Sequence, residues 1–201
     1  MRPTPLFEKT AQWFHRANAA LLGTLPCGQG CSHCCIGLFP VTILDRQEIQ
    51  RGLRALPDEQ RKRIERIAAG QITVLTAAAP QLNTNRFIDQ WPEEQSEQLI
   101  ERFDSWPCPA LEQDGSCGLY EFRPLACRSM GVPPDDGVCV GGACAVQTAI
   151  PLIRLSKTIR EEENYLAGME AEEIEVLRRH EGAEGEELFL PYAFLPDAGV
   201  R

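Results

Sequence analysis

Four cysteines fall within nine residues, in the run Cys27-Gly-Gln-Gly-Cys31-Ser-His-Cys34-Cys35. Thiolates crowded this closely repel one another as anions, and a bound soft cation removes that cost, so the run reads first as a metal or iron-sulfur site. On a helix their offsets would place all four sulfurs within an arc of about 100°. Gly28 and Gly30 argue instead for a loop at Cys27 leading into a helical turn at Cys31 to Cys35, whose N-terminal dipole would lower the thiol pKa values. Two other readings stand beside this one. Cys31-Ser-His-Cys34 has the spacing of a thioredoxin-like redox pair, but no βαβ pattern surrounds it and two further cysteines crowd it. Inert buried cysteine is the other. His33 sits among four thiols with no second histidine near it, and is expected to be exposed or outside the ligand set.

A second group, Cys108, Cys117 and Cys127, is more widely spaced. Cys108-Pro-Ala-Leu and Cys117-Gly-Leu-Tyr120 flank an Asp114-Gly115 turn, which predicts a small hairpin with a cysteine on each arm. Arg123-Pro124 then opens a helical turn carrying Cys127 and Arg128. If both groups serve one centre, the 72 residues between Cys35 and Cys108 close as a loop at about 4 kcal/mol. Structural zinc returns roughly 10–16 kcal/mol, so that closure is readily offset. Arg123 and Arg128 flank Cys127, where guanidinium donors would counter the roughly −2 charge of a four-thiolate zinc or [4Fe-4S] centre; both are assigned cofactor-binding roles. Cys139 and Cys144 follow in the Gly-rich loop 131–142 and its exit, and complete a candidate ligand set of nine.

The full pattern, Cys27-x3-Cys31-x2-Cys34-Cys35 and then Cys108-Pro-Ala-Leu-x5-Cys117-Gly-Leu-Tyr120-Glu121-Phe122-Arg123-Pro124-x2-Cys127-Arg128, resembles the CxxCxxCC family, also called YkgJ-type cysteine-cluster proteins, which are zinc- or iron-chelating domains. The resemblance runs from about Cys27 to Cys144. It implies that Cys27, Cys31, Cys34, Cys35, Cys108, Cys117 and Cys127 are metal ligands, with Tyr120, Arg123, Pro124 and Arg128 as signature positions. The first gap holds three residues where the family's name has two, which sets Cys27 apart from the others.

These residues must be carried by a chain of 201, long enough for one sizeable core without needing metal merely because it is small. With 43% hydrophobic and 24% charged residues it has an ordinary globular composition, and no apolar run approaches the ~20 residues of a membrane span. A net charge of −9 is the wrong sign for recruiting phosphate backbones, so neither membrane nor nucleic acid is expected as a partner. The N-terminus lacks a secretory apolar core, and the protein is read as cytoplasmic; nine cysteines cannot all pair within one chain, so thiols rather than disulfides are expected.

Periodicity predicts helices over Phe7 to Leu22, from Asp45 (with Glu48 as a capping-box partner) to Leu56, Asp58 to Ala79 and Pro92 to Phe103, then again from Ala145 to His180; Val41 to Leu44 reads as a short strand. The expected fold is mostly α with a small β-hairpin and an irregular, cysteine-rich centre organised by metal. Residues 1–150 form the metal-binding domain. Residues 151–201 are an acidic helical extension, packed on that domain or partly mobile. From Ser156 onward five basic residues face twelve acidic ones, net −7, which reads as a solvated helical face or as an interaction surface for a basic protein partner.

The function expected is thiolate chelation of zinc or iron, with an iron-sulfur cluster such as [4Fe-4S] included. An iron-dependent oxidoreductase or protein-modifying enzyme, and a metal carrier, are the alternatives. No Ser-His-Asp set, phosphate-binding loop or dinucleotide fingerprint is present to name a reaction.

Overall fold

The computed structural model describes residues 3–21, 30–133 and 154–196. Cys27, Cys139 and Cys144 lie outside the described residues. The fold is mostly α, as expected.

Helix α1 (Pro5–Ala20) starts with proline in its first turn, where the missing N–H costs nothing, and buries Leu6, Phe7, Thr10, Trp13 and Ala17 along one stripe. A short strand β1 (Pro40–Thr42) runs directly into α2 (Ile43–Ala55). The helix start is shifted from the sequence expectation: Thr42 is the N-cap and Asp45 its third residue, each side chain hydrogen-bonded to the other's backbone N–H. Asp45 is therefore inside the first turn, and Glu48 is not its capping partner. Helix α3 (Asp58–Ala78) buries Ile64, Ala68 and Leu75, while α4 (Glu93–Arg102) buries only Leu99. Helix α5 (Leu125–Ser129) is a turn and a half following Pro124. Helix α6 (Lys157–Glu181) begins at Ser156, whose hydroxyl accepts from the Ile159 N–H, and stops at Gly182 in the left-handed region.

After α6 the chain returns as β2 (Glu187–Phe189) and the single turn α7 (Leu190–Ala193). β2 pairs antiparallel with β1 in the register Pro40↔Phe189, Val41↔Leu188, Thr42↔Glu187. The described part of the acidic region is thus woven into the fold. α6 packs on α1 and α2, and Trp13 Nε1 donates to the Ile159 carbonyl at 2.9 Å. The main core gathers Phe7, Trp13, Ile49, Leu53, Ile64, Leu188 and Phe194. A second cluster under α3 and α4 is built on Leu75, Leu82, Leu99, Phe103 and Phe189. Among the described residues no helix is long and apolar enough to cross a membrane.

Candidate metal centre

Two backbone contacts bring the first cysteine group to the second. Cys34 and Cys35 lie in a 3₁₀ turn (His33–Cys35), a tighter version of the expected helical turn. The chain then runs antiparallel to residues 106–108: Ile36 bridges Pro107, the Gly37 N–H donates to the Trp106 carbonyl at 2.7 Å, and the Cys108 N–H donates to the Cys35 carbonyl at 2.7 Å. The 72-residue excursion is closed there by ordinary hydrogen bonds.

Cys108 and Cys117 are set by the predicted turn. Leu111 bridges Cys117, the Glu112 N–H donates to the Ser116 carbonyl and the Gly118 N–H to the Ala110 carbonyl. Gly115 has φ +82°, which an L side chain rarely adopts, and Asp114 Oδ1 accepts from both the N–H and the hydroxyl of Ser116. Glu112 on the same turn is tied to α3 through Gln60 and Arg63.

A second 3₁₀ turn (Tyr120–Phe122) presses on α2 at Gly52. Arg123 sits over the Tyr120 ring, its guanidinium carbon 3.8 Å from the centroid, with Nε donating to the Tyr120 carbonyl. Cys127 is carried by α5, whose first N–H, from Leu125, donates to Asp45 Oδ1 at 2.7 Å. One buried carboxylate therefore caps α2 and holds the helix of a candidate ligand 80 residues away. Arg128 is buried. Its Nε donates to the Arg123 carbonyl at 3.0 Å, one terminal nitrogen donates to the Glu121 carbonyl, and the group sits over Phe7.

Cys31, Cys34, Cys35, Cys108, Cys117 and Cys127 all line one cavity of about 40 Å³, and all six are free thiols. Phe39, Ile49, Leu119, Phe122, Leu190 and Phe194 wall it. His33 is exposed, as expected. Among the described residues no group of three or more Cys, His, Asp or Glu side chains is placed so that it could hold a metal ion. The thiols differ in proton affinity. Cys34 accepts a hydrogen bond from the Cys35 thiol, which lowers it to about 6 against the opposing effect of burial; the Cys35 thiol, holding the shared proton, is pushed up. Burial raises Cys108 to about 12, Cys117 upward and Cys127 well upward. In an apolar cavity Cys108, Cys117 and Cys127 favour the neutral form unless a cation draws off their protons, and thiolate sulfur is the donor type that suits a soft or borderline metal.

Sequence reasoning missed the walls of this cavity and the role of Asp45. The signal for two of the walls was present. Leu188 to Leu195 is an unbroken apolar run inside an otherwise acidic region.

The site and its scaffold define a small helical protein that gathers thiols from distant segments into one apolar-walled cavity. The chain belongs to the CxxCxxCC family, "Putative zinc- or iron-chelating domain", which it matches over residues 26–145. No curated protein and no solved structure shows a significant match.

Proposed function

We propose that the protein chelates a single zinc or iron ion through thiolates drawn from among Cys31, Cys34, Cys35, Cys108, Cys117 and Cys127 and from Cys27, Cys139 and Cys144, which also lie inside the family span. The observation that carries this is the convergence of six free thiols from three separate segments on one cavity. When bound, such an ion supplies positive charge and Lewis acidity at the thiols.

The two arginines divide the work. Arg123 stands near Cys34 and Cys117 and lowers the cost of their ionisation, whereas Arg128 braces the turn that carries Cys127 by donating to two carbonyls. A reactive iron centre is the second reading. It is favoured by the opening of the thiol wall, at Cys31, Cys34 and Cys127, onto a larger cavity.

Anaerobic isolation followed by metal and acid-labile sulfide analysis tests these readings. Stoichiometric zinc or iron without sulfide is the expected result for a single-ion site. Iron with equimolar sulfide and a visible chromophore would replace it with a cluster, and protein free of all metal would refute chelation.

A further inference from the structure

The cavity beside the thiols has contents that chelation does not use. It measures about 360 Å³, within the range of small-molecule sites, and shares Cys31, Cys34, Tyr120, Arg123 and Cys127 with the thiol cavity. The outer face of the thiol site is therefore the inner wall of this vestibule. Helix α1 lines it through Ala11, Phe14, His15 and Asn18, with Met130 at the end of α5.

Arg123, Arg128 and Glu121 line the vestibule together with His15, two guanidiniums to one carboxylate. Arg128 is buried and spent on the carbonyls of Arg123 and Glu121, and the Glu121 carboxylate offsets its charge, which leaves Arg123 as the cation for a ligand. Arg123 is different. Its Nε is committed to the Tyr120 carbonyl and its face to the Tyr120 ring, but among the described residues its two terminal nitrogens make no hydrogen bond. A flat edge with two donors remains. Among the described residues Asn18 Oδ1, in the lining of the cavity, is buried without a hydrogen-bond partner.

We propose that this vestibule binds a short-chain carboxylate, its two oxygens forked on the terminal nitrogens of Arg123 and its carbon chain lying against Ala11, Phe14 and Met130. Two parallel N–H donors match a planar carboxylate, and one free guanidinium matches a single negative charge better than the double charge of phosphate. The apolar lining selects for a few methylene groups. Asn18 adds an acceptor for a ligand that carries a donor further along its chain. The proposal deepens the chelation reading and rests on it for what the carboxylate meets at the inner wall, where a bound cation offsets the charge of the thiolates.

The test is titration of the metal-loaded protein with butyrate, and in parallel with inorganic phosphate, followed by amide chemical shifts along α1, with metal content measured on the same samples. Saturable butyrate binding, tighter than that of phosphate, is expected. Arg123→Gln should weaken it at least about tenfold, the usual effect of losing a charge-assisted pair. Because Arg123 also faces the thiols, Ala11→Phe serves as the second variant: it fills the vestibule from α1, touches no cysteine, and should weaken butyrate to a similar degree with metal content unchanged. An unaltered butyrate affinity in Ala11→Phe, tighter phosphate than butyrate, or no saturable binding by the wild-type protein would each overturn the proposal. Failure of the chelation reading would show separately, as wild-type protein isolated without zinc or iron.

Discussion

Gly52 gives the sharpest measure of how the fold sets the thiol site. A Cβ at this position in α2 would stand 2.6 Å from Phe122 Cβ and 2.8 Å from Leu119 Cδ2, where ordinary contact begins near 3.4 Å. Phe122 Cβ cannot swing away as the tip of a long side chain could, so the Leu119–Phe122 segment, which lies between Cys117 and Arg123, must retreat from α2 by most of an ångström. Two effects oppose one another in Gly52→Ala. Alanine gains about 1 kcal/mol of helix propensity, and overpacking costs roughly 1–3 kcal/mol. The clash should win by about 1 kcal/mol, a fall of some 2–4 °C in melting temperature for a chain of this size. Because the retreat separates Cys117 from Cys34 and Cys108, a chelator should also strip metal on the order of tenfold more readily, as when outer supports of a metal site are lost. Gly70→Ala in α3 is the control: nothing lies within 4 Å of its Cβ position, so it should raise stability by about 0.5–1 kcal/mol and leave metal untouched. The assay is thermal unfolding of both variants alongside chelator competition. If Gly52→Ala melts at or above the wild-type temperature with unchanged metal retention, the α2 contact does not position the site.

Serine at Cys34 or at Cys117 should release the metal and lower stability by several kcal/mol, read from metal content and denaturant unfolding; full occupancy in both would contradict a shared centre. Arg128→Lys should cost about 1–3 kcal/mol, since a lysine cannot serve both the Glu121 and Arg123 carbonyls through one planar group; an unchanged unfolding midpoint would mean that the brace is dispensable. Glu170 on α6 is raised to about 7, first by burial and then by the fields of Asp45 and Glu187. The folded state then holds this proton more tightly than the unfolded chain, so its penalty is full above about pH 7 and vanishes below about 4.5. Glu170→Gln should accordingly raise the melting temperature at about pH 8 and leave it little changed near pH 4.5. Equal effects at both would place the carboxyl in solvent.

The locally specified parts of this molecule were legible in its sequence. Helices α1 to α4 stand within about two residues of their apolar periodicity, and the Asp114-Gly115 turn lies where its dipeptide placed it, because each depends on neighbours within one or two turns of chain. The cap of α2 slipped by three residues since Thr42 and Asp45 both suit an N-cap, and only the pairing of β1 with β2 decides between them. That pairing joins residues nearly 150 apart, and no local pattern announces it. The cysteine types and spacing identified the donors, whereas the apolar walls contributed by Leu190 and Phe194 depend on the same long-range return. Asp45 was legible as a helix-start residue but not as the acceptor for Leu125, since that link exists only after α5 has docked.

The order of residues along the chain has a consequence for synthesis. All nine cysteines precede Leu190 and Phe194, which form part of the wall of the thiol cavity. Translation proceeds at about 5–20 residues per second, so the roughly 50 residues from Cys144 to Phe194 take several seconds to make. During that interval every thiol has been polymerised while part of the surface that will enclose six of them has not. Ion capture, oxidation and capture by a competing metal all have this window in common, and the intracellular supply of zinc or iron at the ribosome thus bears on what the finished protein contains.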